Sequence, residues 1–141
     1  MERKASAVWQ GNLKDGKGTI STESGALSGT PYSFRTRFER EKGTNPEELI
    51  AAAHAGCFTM ALSGQLTGAG LTPERLTTVA AVTLEKLEAG FTITRIHLDV
   101  KARIPGATRE AFDTAAASAK ANCPVSRLLK AEITMSASLE S

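Results

Sequence analysis

The sequence predicts an α+β fold. Strand-like and helix-like segments come in blocks, in the order βββ-α-ββ-α-β, rather than as repeated βαβ units. Two stretches decide this: an alanine-rich run that begins at Asn45-Pro46-Glu47-Glu48, and two alternating strands on either side of Ala89-Gly90. At 141 residues a single domain over 1–141 is expected, long enough to bury a core without disulfide staples.

The first third reads as a meander. Ala5, Ala7 and Trp9 alternate with polar or small neighbours, Asp15-Gly16 signals a turn, and a short strand Gly18–Thr22 follows. After the Ser28-Gly29 turn, Tyr32, Phe34, Thr36 and Phe38 alternate with Ser33, Arg35 and Arg37. This predicts a third strand with both arginines on the face opposite the phenylalanines. Asn45 then suits a helix N-cap, Pro46 the first helical position and Glu48 the acid of a capping box. The helix continues towards Leu66, and Gly68 and Gly70 end it. Gly56 interrupts it, at about 1 kcal/mol relative to alanine if the helix is regular there. This helix is too apolar for a surface position and is read as central, with sheet or a partner around it.

Two strands follow, about 77–88 and 91–104, joined as a hairpin by Ala89-Gly90. Ile96, Leu98, Val100, Ala102 and Ile104 alternate cleanly, while the phase changes near Phe91 and Ile93, which points to a bulge. Thr108 caps a helix over 109–122 whose stripe is Phe112, Ala115, Ala116, Ala119 and Cys123. Pro124 disfavours helical geometry at Cys123 and opens a short helix over 125–129, with Cys123 at its N-terminus. Ile133, Met135, Ala137 and Leu139 mark a last strand.

The net charge is +2. The basic residues are scattered and no aromatic residues interleave with them, so no nucleic-acid partner is expected. Nothing approaches the roughly 18 consecutive apolar residues of a membrane span. Met1-Glu2-Arg3-Lys4 lacks the apolar stretch of a signal peptide, so an intracellular protein with no membrane partner is expected. In a reducing compartment two cysteines are more often catalytic or metal-binding than structural.

Cys57 and Cys123 carry the chemistry. A thiol becomes a good nucleophile when its thiolate is stabilised by a helix N-terminus or a cation. A helix broken at Gly56 would place Cys57 at the positive end of a second segment, and Cys123 precedes a helix-starting proline. Two such thiols can cooperate, one becoming a sulfenic acid and the other condensing with it to a disulfide. Burial as small hydrophobes and a structural disulfide are the plain alternatives. His54, Cys57, His97 and Cys123 could share a metal, but zinc-finger spacings are absent and His97 sits in mid-strand. His54 is instead read as a packing or supporting residue. Glu47 most simply complements the helix dipole. In an unbroken helix it would stand about 15 Å from Cys57 along the axis. It would then act by orienting an arginine, with Arg37 as the bridge, although a solvated strand face remains the plain reading of Arg35 and Arg37.

These residues also carry a resemblance. Thr36-Arg37-Phe38-Glu39 and the run from Glu41-Lys42-Gly43-Thr44-Asn45-Pro46-Glu47-Glu48 to His54-Ala55-Gly56-Cys57-Phe58 resemble the core of the OsmC/Ohr family of hydroperoxide reductases. Asn122-Cys123-Pro124-Val125-Ser126, Leu129-Lys130-Ala131-Glu132-Ile133-Thr134 and Trp9-Gln10-Gly11 extend the similarity essentially end to end. The ending Leu-Lys-Ala-Glu-Ile and Arg37 resemble the osmotically inducible OsmC branch. The resemblance implies a thiol-dependent peroxidase of the cytoplasm, active in oxidative and osmotic stress, with no metal, haem or flavin cofactor. Cys57 would be the peroxidatic cysteine, Cys123 the resolving one, Arg37 the activating arginine and Glu47 the acid that positions it. The implied fold is an intertwined homodimer, two central helices wrapped by sheets from both chains, with Arg37 supplied by either subunit. An external dithiol or lipoyl-type reductant would reopen the Cys57–Cys123 disulfide. Phe58, Met60, Leu62, Phe34 and Phe38 are candidate pocket walls, which favours organic peroxides over hydrogen peroxide. A redox sensor that turns over little and a metal-binding protein remain the rival readings.

Overall fold

The computed structural model describes residues 1–140. The chain forms two compact units, residues 1–49 and the residues from 50 on.

In the first unit, β1 (Ala5–Gln10), β2 (Lys17–Thr22) and β3 (Thr30–Tyr32) pair as an antiparallel meander. Gly18 lies opposite both Trp9 and Tyr32, whose rings meet edge-on with centroids 5.4 Å apart. A Cβ at Gly18 would stand 2.7 Å from the Trp9 ring, so only glycine lets these rings close over the strand.

The third strand is shorter than its alternation predicts. It ends at Tyr32, and Phe34–Phe38 form a short helix, α1. The cause is local. The Ser33 hydroxyl accepts the Thr36 N–H at 3.2 Å and the Thr36 hydroxyl accepts the Ser33 N–H at 2.7 Å, a reciprocal capping box. Phe34 and Phe38 then pack at i, i+4, with centroids 4.8 Å apart. The same apolar residues satisfy both periods, and the cap selects the helix. Arg35 and Arg37, two residues apart, therefore do not share a face.

Helix α2 (Pro46–Gly68) starts where the sequence places it. The Asn45 side-chain oxygen accepts the Glu48 N–H at 2.7 Å, and the Glu48 carboxylate accepts from the Thr44 hydroxyl at 3.0 Å. The helix runs unbroken through Gly56, which decides between the two alternatives the sequence left open: no second segment opens at Cys57. Gly56 is exposed, with open space where a Cβ would stand. By length and composition α2 is apolar enough to cross a membrane, with a mean hydropathy of 1.3, although no comparable run stood out in the sequence. Small residues raise that mean without forming a continuous apolar run. In this fold its His54, Phe58, Leu62 and Leu66 stripe is fully buried in the protein core.

That core belongs to the second unit. Strands β4 (Arg75–Leu87), β5 (Gly90–Arg103) and β6 (Glu132–Glu140) form one sheet with β5 central, antiparallel to β4 and parallel to β6. The parallel pairing needs a crossover, supplied by α3 (Arg109–Asn122) and α4 (Pro124–Leu128). Gly90, at φ 118°, takes the turn conformation that closes the β4–β5 hairpin. Thr83 pairs with Arg95 and Leu84 with Ile93, so Thr94 is an extra residue in β5. This is the bulge the phase change predicts, and it carries Ile93 onto the core side. Ile96, Leu98, Val100 and Ala102 lie beside Val82, Ala80, Leu76 and beside Ile133, Met135, Ala137 and Leu139 on one face. Phe112, Ala115, Ala116 and Ala119 of α3 and the α2 stripe complete the cluster with them.

Candidate active site

The two cysteines come together in the second unit. Cys57 sits half-buried on α2, and Cys123, 1% exposed, occupies the junction where α3 ends and α4 begins. Both are free thiols, close enough for each to shift the ionisation of the other. Pro124 explains the junction. It ends helical geometry at Cys123, whose ψ is 133°, and starts α4 at its own position. Cys123 thereby becomes an N-cap with sulfur in the acceptor role. Its Sγ accepts the Ser126 N–H at 3.4 Å and the Ser126 hydroxyl at 3.5 Å. The Val125 N–H lies within hydrogen-bonding reach of both sulfurs.

Burial pushes the Cys123 thiol up, but the Ser126 hydroxyl and amide, Cys57 and the Val125 amide outweigh it, and the thiol ionises below its ordinary value. Burial also pushes the Cys57 thiol up. The Val125 amide opposes this, while the hydrogen bond and charge of Cys123 add to it, so Cys57 ionises above its ordinary value. With α2 unbroken, the condition for a helix-dipole thiolate at Cys57, a break at Gly56, is not met. Of the two thiols, Cys123 is thus the one shifted down and Cys57 the one shifted up.

His54 and Ser126 flank the pair. His54 is three residues before Cys57 and Ser126 three after Cys123, so each stands one helical turn from its cysteine. His54 Nε2 and Ser126 Oγ are 2.7 Å apart, and both residues are buried. Burial lowers the His54 pKa, which keeps its ring neutral. Ser126 went unnoticed as a functional residue in the sequence, although a signal was there. With Cys123 as N-cap and Pro124 at the first helical position, the third helical residue must turn its amide towards the sulfur.

Arg37 and Glu47 lie in the first unit and meet there. Arg37 donates from a terminal nitrogen to Glu47 at 2.7 Å and from Nε to both carboxylate oxygens at 3.1 and 3.3 Å. This two-pronged pair fixes the guanidinium plane, and the same guanidinium lies 5.4 Å from the Phe38 ring centroid. Arg35 has no part in the pair.

The four-ligand metal set does not assemble. Among the described residues no group of three His, Cys, Asp or Glu side chains stands ready to hold a metal. His97 sits on the polar face of the sheet, bonded to Thr134 at 2.6 Å and Ser136 at 3.1 Å, while His54 is engaged with Ser126. Of the proposed pocket walls, Phe58 and Leu62 are fully buried in the core and Met60 is exposed.

Known proteins share this architecture along its length. The OsmC-like protein family matches residues 39–138, across both units. Peroxiredoxin OsmC of Escherichia coli (strain K12) is 55% identical over 141 residues, covering 100% of this chain and 99% of that one, and Peroxiredoxin OsmC of Shigella flexneri matches equally. An OsmC-like protein of unknown function from Vibrio cholerae superposes with a TM-score of 0.78 at 17% identity, covering 98% of this chain and 99% of that one. The organic hydroperoxide resistance protein OhrB of Bacillus subtilis gives 0.68 at 23% identity, covering 97% and 98%. The paired cysteines thus stand within a fold and a sequence shared end to end with known proteins, and this chain belongs to the OsmC-like family.

Proposed function

We propose that this chain is a thiol-dependent peroxidase that reduces organic hydroperoxides, and hydrogen peroxide, with Cys57 as the attacking residue. The contact between Cys57 and Cys123 carries this reading, supported by 55% identity to proteins named Peroxiredoxin OsmC. The Cys57 sulfur attacks one peroxide oxygen. The O–O bond breaks, the alcohol leaves with the thiol proton, and Cys57 becomes a sulfenic acid. Cys123 then attacks that sulfur. The S–O bond breaks, the hydroxyl leaves with the Cys123 proton as water, and a Cys57–Cys123 disulfide forms. An external dithiol, such as a lipoyl group, reopens it by exchange and is itself oxidised.

Burial and Cys123 hold the Cys57 thiol above its ordinary value, whereas the first step requires negative charge there. Arg37 is the group proposed to draw it there and to stabilise the charge growing on the peroxide oxygens. Glu47 holds that guanidinium, from the same subunit or from a partner. The working form is a homodimer acting as one functional unit. Helix α2 carries no charged side chain after Glu48, yet Met60 is 78% exposed, and a second copy would cover this face. The setting is cytoplasmic, where thiols stay reduced and the protein would serve oxidative and osmotic stress. The scheme calls on no metal or bound cofactor.

The test is peroxide consumption with a dithiol supplied. Cys57→Ser abolishes it. Cys123→Ser gives one equivalent of sulfenic acid at Cys57 and no disulfide. Full turnover by Cys57→Ser would overturn the proposal, and a wild-type protein that reacts once without turning over would favour a redox sensor.

A further inference from the structure

Buried polar atoms are nearly always paired, and an exception calls for an explanation. His54 is fully buried, its Nε2 meets Ser126, and its Nδ1 is the one buried side-chain nitrogen or oxygen among the described residues without a hydrogen-bond partner. A leucine there would fill similar space with no orphaned atom. The ring's one polar contact leads to Ser126 Oγ, and Ser126 Oγ leads to the Cys123 sulfur.

The hydrogen bonds assign a direction. Ser126 has a single hydroxyl proton. When it points at the sulfur, His54 Nε2 must carry the ring proton and donate it to Ser126 Oγ. Nδ1 is then a bare lone pair, cheaper to leave unpaired in a core than an N–H. The result is a chain of donors, His54 Nε2–H to Ser126 Oγ–H to Cys123 Sγ, which ends on the sulfur and strengthens as that sulfur gains negative charge.

Resting on the peroxidase reading above, we infer that His54 and Ser126 are positioning residues for the second chemical step: their donor chain holds and charges the Cys123 sulfur for its attack on the Cys57 sulfenic acid. As the S–S bond forms, the S–O bond of Cys57 breaks and the hydroxide leaves with its electron pair. It takes up the proton released by Cys123 and departs as water. The chain stabilises the negative charge that Cys123 carries just before attack. It neither gains nor loses a proton over the step, so a neutral, buried His54 suffices. Cys57 receives no bond from the chain and feels it only through Cys123, whose charge holds the Cys57 thiol up, so weakening the chain does not slow the first step.

The experiment is a single turnover with an organic hydroperoxide, in which sulfenic acid at Cys57 and disulfide closure are followed separately. Ser126→Ala is expected to slow closure roughly tenfold, the worth of one charge-assisted hydrogen bond, while sulfenic acid forms no more slowly than in the wild type. Ser126→Thr, which keeps the hydroxyl, restores closure. His54→Phe slows closure several-fold, and His54→Gln, which keeps a donor, recovers part of it. A second readout needs no peroxide. In Cys57→Ser protein only one thiol remains, and its ultraviolet thiolate absorbance reports Cys123 directly. Adding Ser126→Ala should move that titration up by about one pH unit, the same tenfold factor. Closure and titration both unchanged in folded Ser126→Ala protein would overturn the inference, as would Ser126→Thr behaving like Ser126→Ala. If the wild-type protein forms no sulfenic acid at all, the peroxidase reading fails, and the thiolate titration still decides whether the chain acts on Cys123.

Discussion

Two sulfurs in contact carry one negative charge more readily than two, because a second thiolate would form in the field of the first. At the residue scale this sets the division of labour between Cys123, which ionises easily, and Cys57, which does not. Arg37 is where the proposal is most exposed to test. Arg37→Met should lower kcat/KM for hydroperoxide by roughly a hundredfold, the usual loss for a charge-stabilising donor, with sulfenic acid formation rather than closure affected. Glu47→Gln should cause a smaller loss in the same step. His54 makes a separate prediction about stability. Burial lowers its pKa below the ordinary 6.5. As pH falls below that value, the unfolded chain takes up a proton that the native ring refuses, and stability drops. Urea unfolding midpoints should therefore fall between about pH 7 and pH 5, and fall less in His54→Gln. Equal pH dependence in both proteins would show that the ring is not held neutral.

At the element scale the short helix α1 decides where Arg37 points. It has five residues and little intrinsic stability, so its cap matters more than its propensity. Ser33→Ala removes the hydroxyl that accepts the Thr36 amide. It should cost about 1 kcal/mol and release the Phe34–Phe38 contact together with the Arg37–Glu47 geometry. Circular dichroism and peroxide kinetics on one sample check this: a modest loss of stability with a larger loss in kcat/KM is expected, and unchanged kinetics would show that Arg37 is placed by Glu47 alone. The α3–α4 junction works the other way. Pro124 imposes it covalently, so Cys123 holds its N-cap conformation by a constraint stronger than one hydrogen bond.

At the scale of the whole molecule, β5 is the keystone of the second unit, since it pairs with both neighbouring strands and its inward residues share one core cluster with both long helices. Leu98→Ala, at a fully buried central position, should cost about 2–5 kcal/mol, read as a shift in denaturant midpoint. The uncharged flank of α2 sets the assembly prediction. Met60→Glu would bring a carboxylate into the face that a second copy is proposed to cover, at a cost of several kcal/mol if that face is dry. Sedimentation should show wild-type dimers and Met60→Glu monomers. Monomers in both would remove the dimer from the proposal.

Local patterns settled much of this protein. The caps at Asn45 and Thr108, the proline at 124, the alternation of β5 and its bulge all follow from contacts within a few residues, which a sequence displays directly. The motifs around Cys57 and Cys123 likewise marked the two sulfurs and their family. At Phe34–Phe38 the reading went astray, because alternation and i, i+4 spacing coincide over five residues, and at Gly56 the sequence left a regular and a broken helix both open. Only tertiary structure decided that His54 reaches Ser126, 72 residues away, and that Cys123 rather than Cys57 is the thiol shifted down. Those outcomes depend on burial and on hydrogen bonds between distant segments, and neither exists until α2 and α4 pack together.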